Sequence, residues 1–264
     1  MSSNVASSSN NGRVYAVTGA ASGIGRATVE RLAADGALVV AVDLNAEALH
    51  WTDAVDGVVA LDGDVTREET NEAMVAAAEE HFGALHGAFL NAGIPGFGLI
   101  DRIPMATFDR VLDVNVRAVA LGIKAALPAL RKVTGGSIVV TGSTSGLAAD
   151  PGGWTYNASK AAVINMARSI ALDVAHEGIR VNAVCPGPTK TGMTEPMRAR
   201  ESVDETMRMV VPMARWGESS ELAAAVAFLL SPDASFITGV ALPVDGGVMA
   251  TTGQFPTYAA RAKH

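Results

Sequence analysis

The chain has 264 residues, of which 49% are hydrophobic and 18% charged, a balance typical of a soluble protein with a well-buried core. Its net charge of −7, with no cluster of Lys or Arg, opposes attraction to phosphate backbones or anionic lipid, so we expect no nucleic-acid and no membrane partner. A single cysteine, Cys185, excludes an internal disulfide and fits a reducing, cytoplasmic compartment, while five scattered histidines predict no metal site.

The chain opens with the polar stretch MSSNVASSSNNG, which lacks the basic start and the apolar run of a secretory signal. We interpret residues 1–12 as a disordered polar leader and assign residues 13–264 to a single dinucleotide-binding catalytic domain. No apolar stretch approaches the ~20 residues that a membrane helix requires.

Seven short apolar, β-branched runs follow, separated by longer helical patterns. The runs begin at Val14, Ala37, Val58, Leu85, Ser137, Ile179 and Val240. This alternation predicts an α/β fold with a doubly wound, seven-stranded parallel sheet of Rossmann type in three α/β/α layers. The runs are apolar almost throughout, as expected where helices cover both faces of a sheet, and ligands should bind at the carboxyl ends of the strands.

The first run leads into TGAASGIG, which contains Thr18, Gly19, Gly23 and Gly25 and precedes a helical pattern. Glycines at such a turn let the backbone approach a pyrophosphate, and the helix N-terminus supplies N–H donors. The spacing TGxxxGxG is neither the GxGxxG fingerprint nor a P-loop. A structural turn that binds no ligand is the alternative interpretation.

Asp43 ends the second strand, where a carboxylate accepts hydrogen bonds from both hydroxyls of an adenosine ribose and repels a 2′-phosphate. Its neighbours Leu44 and Asn45, and Ala21 and Ser22 in the glycine turn, add no cation. We therefore predict NAD as the cofactor in preference to NADP. The alternative is that Asp43 caps a helix in DLNAEAL.

Two helical patterns in the middle of the chain carry local end signals. Thr66 and Glu69 match a capping box ahead of an apolar pattern, and Gly83 stands where that helix should end. The stretch of residues 105–130 has one long helical pattern, in which Pro128 is expected to introduce a kink or an end.

Tyr156 and Lys160 stand four residues apart and share one face of a predicted helix, so the ammonium group favours ionisation of the phenol. A phenol normally titrates near pH ~10, and a nearby cation makes it a useful base. Ser143 precedes Tyr156 by thirteen positions, at the end of the run SIVVTGS. The alternatives are an incidental Tyr–Lys pair, a turn-capping role for Ser143, and Ser145 as the relevant hydroxyl.

Taken together, these motifs make the chain similar to the short-chain dehydrogenase/reductase family, in its single-domain branch. The resemblance runs from about Arg13 to Met249 and includes TGxxxGxG, NAG at 91–93, Asn115, Ser143, YxxxK and the PG at 186–187. It implies an oxidoreductase that interconverts a secondary alcohol and a ketone, with Tyr156 as proton donor or acceptor and Ser143 bound to the substrate oxygen.

The resemblance also assigns Asn115, which should hold a water that links Lys160 to solvent; the alternative is a buried polar group of a helix. It places Asp64 and Val65 beside the adenine, and the PGxxxT stretch beside the nicotinamide carboxamide, although Asn, Asp and Gly also form turns. The cofactor-binding residues it implies are Thr18, Gly19, Ser22, Gly23, Ile24, Gly25, Asp43, Asp64, Val65, Asn91, Ala92, Gly93, Tyr156, Lys160, Pro186, Gly187, Thr189 and Thr191.

The substrate is less well defined by the sequence. The resemblance makes residues 191–216 a mobile lid rich in Met, and Phe97, Leu147 and Trp154 are candidate apolar walls, so a fairly hydrophobic small molecule is expected. A 3-oxoacyl-thioester reductase is the alternative within the family, and a catalytically silent dinucleotide-binding scaffold or sensor is the alternative outside it. The resemblance further implies a homotetramer built on helices near residues 111–130 and 156–175. The tail after Ala250 has no assigned role.

Overall fold

The computed structural model describes residues 9–252, and within them seven parallel strands form one sheet with the order β3-β2-β1-β4-β5-β6-β7. The strands are β1 (Val14–Thr18), β2 (Leu38–Asp43), β3 (Val58–Asp62), β4 (Gly87–Leu90), β5 (Ser137–Thr141), β6 (Arg180–Pro186) and β7 (Ala241–Val244). Strand order reverses between β1 and β4, so this fold has its crevice at their carboxyl ends. The predicted doubly wound α/β fold is confirmed.

Helices cover both faces of this sheet. The α-helices of the described residues are α1 (Gly23–Ala34), α2 (Glu68–Phe82), α3 (Met105–Leu112), α4 (Ala118–Leu130), α5 (Thr144–Leu147), α6 (Trp154–Val174), α7 (Glu195–Arg198), α8 (Glu201–Val210) and α9 (Ser219–Leu230). On one face, Met74, Ile123 and Ile164 bring α2, α4 and α6 onto the sheet. On the other, Leu32 and Val226 belong to a second core layer beneath α1 and α9. Burial on both faces explains why the strands are continuously apolar.

The ends of α2 confirm one local signal and contradict another. Gly83 adopts the left-handed conformation (φ 81°) at the C-cap, as predicted. The Thr66–Glu69 capping box is wrong, because Arg67 occupies the N-cap and makes no side-chain capping bond. Thr66 instead donates its N–H and its hydroxyl to the carboxylate of Asp64.

The long helical pattern of residues 105–130 forms two helices, α3 and α4, joined by one π-helical turn at Asp113–Arg117. Pro128 lies inside α4, which ends two residues later. The wider turn carries Asn115 into the interior, where the residue is fully buried. Such π turns occur often at functional sites.

The boundary of the packed region differs from the predicted leader. Asn10 is buried, accepts a hydrogen bond from the hydroxyl of Tyr15 (2.8 Å) and donates to the carbonyl of Ala227. Residues 9–12 therefore pack on the sheet domain, whereas residues 1–8 of the leader and the tail from 253 lie outside the described residues. Between residues 9 and 252, no helix is both long and apolar enough to cross a membrane.

Candidate active site

A cleft of about 380 Å³ opens at the carboxyl ends of the strands, where the order of the sheet reverses. Most of the predicted site residues line it: Gly19, Ser22, Gly23, Ile24, Asp43, Asp64, Val65, Asn91, Ala92, Gly93, Ser143, Tyr156, Lys160, Pro186, Gly187, Thr189 and Thr191. Three predicted residues, Thr18, Gly25 and Asn115, are not part of the lining. Each of the three contacts a residue that does line the cleft.

The glycine turn depends on close backbone packing. Gly19 (φ 68°) and Gly23 (φ 55°) adopt the left-handed conformation. A Cβ on Gly25 would lie 2.0 Å from the carbonyl oxygen of Gly19. The first turn of α1 contains no acidic residue and begins at the cleft, so its free N–H groups suit the pyrophosphate of a dinucleotide.

Thr18 joins this turn to the NAG loop that follows β4. Its hydroxyl accepts the backbone N–H groups of Asn91 (2.9 Å) and Ala92 (3.1 Å). The Asn91 side chain donates to the carbonyl of Thr18 and accepts from the hydroxyl of Thr141, at the end of β5. The ends of β1, β4 and β5 are thereby held at a fixed separation beneath the cleft.

Asp43 faces the cleft from the end of β2. Its carboxylate accepts the backbone N–H of Ala21 (3.0 Å) and that of Asn45 (3.1 Å). The helix-cap alternative is wrong for this residue: the 3-10 helix Glu47–Ala54 has Ala46 at its N-cap. Asp43 therefore connects the glycine turn to the end of β2.

The cation closest in sequence to the glycine turn is engaged elsewhere. Arg26 pairs with Glu30 (2.9 Å), and its guanidinium group lies 4.8 Å from the ring centre of Trp51. Leu44, which follows Asp43, is largely exposed and apolar. These contacts leave the Asp43 end of the cleft with a carboxylate and no basic lining residue at the glycine turn.

Asp64 and Val65 follow β3, the strand beside β2, and both line the cleft. Their expected place beside the adenine remains a prediction. The Thr66 backbone and hydroxyl, and the nearby Arg110, lower the pKa of the Asp64 carboxyl. Arg110 also lines the cleft, 4.0 Å from Asp64 and 3.5 Å from Asp113. Sequence analysis missed Arg110, because its i,i+3 spacing with Asp113 is common on any helix surface.

Ser143, Tyr156 and Lys160 converge in the cleft. The Lys160 Nζ lies 5.6 Å from the centre of the Tyr156 ring and donates a hydrogen bond to the carbonyl of Thr141 (2.7 Å). Ser143 lies close enough to Tyr156 to lower the pKa of the phenol, and its Oγ accepts the backbone N–H of Ser145 at the start of α5. Ser143 thus caps a turn and reaches Tyr156 at the same time.

Burial, more than the Tyr–Lys pairing, determines how these groups titrate. It raises the pKa of Tyr156 to about 12, while the Ser143 hydrogen bond opposes this shift and Asp150 adds to it. Burial also lowers the pKa of Lys160 to about 8. In the protein alone the phenol is therefore neutral at physiological pH and Lys160 loses its proton near pH 8, so ionisation of Tyr156 beside Lys160 remains a prediction.

The buried thiol of Cys185 lies close to Lys160 but has no exposed surface. Burial raises its pKa to about 11, so the thiol is neutral at physiological pH. This is the behaviour of a packed thiol.

Among residues 9–252, no group of His, Cys, Asp or Glu is arranged to hold a metal ion.

Asn115 does not line the cleft, and its side chain is fully engaged in structural hydrogen bonds. Its Oδ1 accepts the N–H of Ile94 (2.8 Å), and its Nδ2 donates to the carbonyl of Ile94 and to the hydroxyl of Ser159 (both 3.0 Å). The side chain therefore acts as the buried polar group of the alternative interpretation. The water-holding role remains a prediction.

The predicted lid and apolar walls have different positions in the structure. Met193 lines the cleft, and the ring of Phe97 lies 5.7 Å from that of Tyr156. Leu147 packs against the core instead, and Trp154 stacks on Phe108 (5.2 Å). The apolar surface close to Tyr156 thus includes Phe97.

Six lining residues were not predicted: Leu44, Gly63, Ile94, Arg110, Val114 and Thr141, whereas Gly192, Met193 and Thr194 belong to the predicted lid. Most of them adjoin a predicted residue in sequence, as Gly63 adjoins Asp64 and Ile94 adjoins Gly93. Extending each motif by one or two positions would have found these residues. Thr141 lies two positions before Ser143, at the end of β5. Its backbone carbonyl, not its side chain, binds Lys160, so its residue type gives no signal in the sequence.

Comparisons with known proteins add independent information. A family model described as enoyl-(acyl carrier protein) reductase matches residues 19–249. The chain is 39% identical over 247 residues to 2-(R)-hydroxypropyl-CoM dehydrogenase of Xanthobacter autotrophicus, covering 90% of this chain and 99% of that one. It is 40% identical over 244 residues to cyclohexanol dehydrogenase of an Acinetobacter species, covering 89% and 94%. The crystal structure of levodione reductase superposes with a TM-score of 0.87 at 38% identity, covering 91% and 99%.

The packing of the glycine turn generates a testable prediction. We expect Gly25→Ala to lower the free energy of unfolding by about 2 kcal/mol or more, because the new methyl group collides with a backbone carbonyl that cannot move aside. Gly192→Ala is the matched control on the same cleft, since its Cβ would meet no atom within 4 Å. Urea denaturation measures both, and equal midpoints for the two variants would contradict the prediction.

Proposed function

The chain belongs to the short-chain dehydrogenase/reductase family, so it is an oxidoreductase acting on CH–OH groups, and we propose that it uses NAD(H) to interconvert a fairly hydrophobic secondary alcohol and its ketone. The observation that carries this proposal is the convergence of Ser143, Tyr156 and Lys160 on the cleft that begins at the glycine turn. The bound nicotinamide would supply hydride acceptance or donation. The side chains of Ser143, Tyr156 and Lys160 would orient the substrate and transfer its proton.

In alcohol oxidation the residues must orient the hydroxyl and remove its proton. The Ser143 hydroxyl binds the substrate oxygen, and its own position is set by the N–H of Ser145 (3.1 Å). Tyr156 takes the proton as tyrosinate. Because burial holds the pKa of Tyr156 near 12, the phenol needs positive charge in the cleft to ionise at moderate pH.

Lys160 supplies part of that positive charge. With a pKa of about 8, it is protonated below this value and loses charge above it. A negative tyrosinate nearby would hold the proton on the lysine, so the two groups titrate as a coupled pair. In ketone reduction the same groups act in reverse: Tyr156 donates the proton and Ser143 stabilises the developing alkoxide.

The role of Tyr156 is tested by Tyr156→Phe, which keeps the ring and removes the oxygen. We expect kcat for alcohol oxidation to fall ~10²–10⁴-fold, while NADH binding measured by fluorescence is retained. Tyr15→Phe is the matched control: it removes a buried phenol on β1, outside the cleft lining, and should leave kcat unchanged. Turnover near the wild-type rate in Tyr156→Phe would refute the assignment.

The preference for NAD is supported by the position of Asp43. Its carboxylate lines the cleft beside the glycine turn, where it would accept hydrogen bonds from a ribose and repel a 2′-phosphate. Arg26, the first cation after the glycine turn, is bound by Glu30 and Trp51. Both features favour the unphosphorylated dinucleotide.

We expect Asp43→Asn to lower the ratio of kcat/KM for NAD to that for NADP by roughly tenfold or more, because the repulsion of the 2′-phosphate is removed. Asp62→Asn is the matched control, since Asp62 pairs in register with Asp43 on the next strand but does not line the cleft. Steady-state kinetics with both cofactors give the ratio. A wild-type preference for NADP would defeat the proposal.

The substrate class is supported by the apolar groups near Tyr156 and by the relatives. Phe97 lies beside the ring of Tyr156, and Met193 adds apolar surface to the lining of the cleft. Among the relatives are proteins named as cyclohexanol dehydrogenase and meso-2,3-butanediol dehydrogenase. A panel of secondary alcohols and ketones, followed by NADH absorbance, tests the proposal; activity restricted to acyl thioesters would favour the 3-oxoacyl-thioester reductase instead.

We also propose a cytoplasmic homotetramer. Leu172, on the predicted interface helix α6, is 82% exposed, and a large apolar side chain on an outer helix face suits contact with a second copy. The unpaired thiol of Cys185 suits a reducing compartment. Sedimentation equilibrium measures the mass of the assembly, and a monomer at micromolar concentration would exclude the tetramer.

A further inference from the structure

Two polar groups next to the reacting residues, the Ser145 hydroxyl and the Asp150 carboxylate, have no role in the mechanism above. The Ser145 hydroxyl donates a hydrogen bond to the carboxylate of Asp150, and the Ser145 backbone N–H donates to the Oγ of Ser143. Ser143 and Ser145 are both buried. A carboxylate is therefore connected through one serine to the hydroxyl that would orient the substrate.

Asp150 is also tied to the helix that carries Tyr156. Its backbone carbonyl accepts the N–H of Gly153 (3.1 Å) and the side-chain amide of Asn157 (3.0 Å), the residue that follows Tyr156. The residue thus bridges the end of α5 and the start of α6. Asp150 is exposed, and the Ser145 hydroxyl holds its carboxylate toward α5.

The charged and titratable groups around Tyr156 come from three elements. Lys160 belongs to the same helix, Asp150 to the preceding loop, and the thiol of Cys185 on β6 faces Lys160. The negative charge of Asp150 raises the pKa of the Tyr156 phenol, adding to the larger effect of burial. The field of the Asp150 carboxylate therefore reaches the phenol oxygen, next to which the substrate oxygen would bind.

We propose that Asp150 is a positioning and specificity-determining residue, which orients Ser143 through Ser145 and makes the site discriminate against anionic substrates in favour of uncharged alcohols and ketones. The inference rests on the proposed function, because it takes Tyr156 as the proton-transfer group. The physical reason is that a carboxylate on the carbon next to the reacting one would approach Asp150, whose negative charge acts on Tyr156, and like charges repel.

The discriminating experiment compares a 2-oxocarboxylate with its uncharged methyl ester, a pair that differs mainly in the negative charge. For Asp150→Asn, we expect the acid-to-ester ratio of kcat/KM to rise roughly threefold to tenfold, since the repulsion is removed while the side-chain shape is kept. Asp150→Glu retains the charge and should keep a ratio close to the wild-type value. An unchanged ratio in Asp150→Asn would overturn the proposal.

The pH profile separates an electrostatic role from a structural one. Removing the carboxylate stabilises the phenolate, so the rise of alcohol oxidation with pH should shift to lower pH by roughly half a unit in Asp150→Asn. Ser145→Ala removes the hydroxyl that binds Asp150 but keeps the charge and the backbone N–H that binds Ser143, so it should reduce kcat and preserve the acid-to-ester ratio. A loss of kcat in Asp150→Asn, with neither the profile nor the ratio moved, would show a merely structural role and contradict the proposal.

A measurement without cofactor or substrate distinguishes failure of this inference from failure of the proposed function. Carbon-13 NMR of tyrosine labelled at Cζ follows the Tyr156 titration, with the signal assigned by its loss in Tyr156→Phe. The Asp150→Asn signal should begin to titrate at lower pH than that of the wild type. A wild-type protein inactive on every alcohol and ketone would refute the proposed function, whereas an active wild type with an unmoved Tyr156 titration would refute the role of Asp150 alone.

Discussion

The burial of the Lys160 ammonium group is the constraint on which the site depends. Its Nζ bonds to the carbonyl of Thr141 at the end of β5, so helix α6 is anchored to the centre of the sheet at the point where the cleft opens. The same burial that lowers the pKa of the lysine to about 8 raises that of Tyr156 to about 12. Burial thus disfavours the charged form of both groups, and a tyrosinate at moderate pH needs positive charge placed nearby.

The backbone around the cleft determines where charged groups can lie in it. Parallel strands end at one edge of the sheet, and Thr18 and Asn91 join the ends of β1, β4 and β5 through hydrogen bonds. Above them the glycine turn exposes the N-terminus of α1, which suits an anionic ligand, while Asp43 presents a carboxylate to one end of the cleft. One cleft thus holds a helix N-terminus, a carboxylate and the Ser143, Tyr156 and Lys160 side chains at separate places.

Much of this arrangement could be predicted from local pattern. The seven apolar runs, the Gly83 cap and the chain positions of the glycine turn, Asp43, Ser143, Tyr156 and Lys160 are readable because each depends on neighbours within a few residues. Two local signals failed because a contact or a backbone irregularity that the local pattern does not encode decided the structure. Thr66 prefers the carboxylate of Asp64 to the helix end, and the long pattern of residues 105–130 is divided by a π turn that buries Asn115.

The sequence by itself determined the order of strands and helices, their parallel connection and the chemical types gathered at the strand ends, because periodicity and turn residues act over short distances. Only the tertiary structure decided which partner each polar side chain takes. Asn115 meets Ser159, forty-four positions away, and Lys160 meets the carbonyl of Thr141. These contacts arise from packing between elements, and so does the loss of solvent that sets the titration of Tyr156.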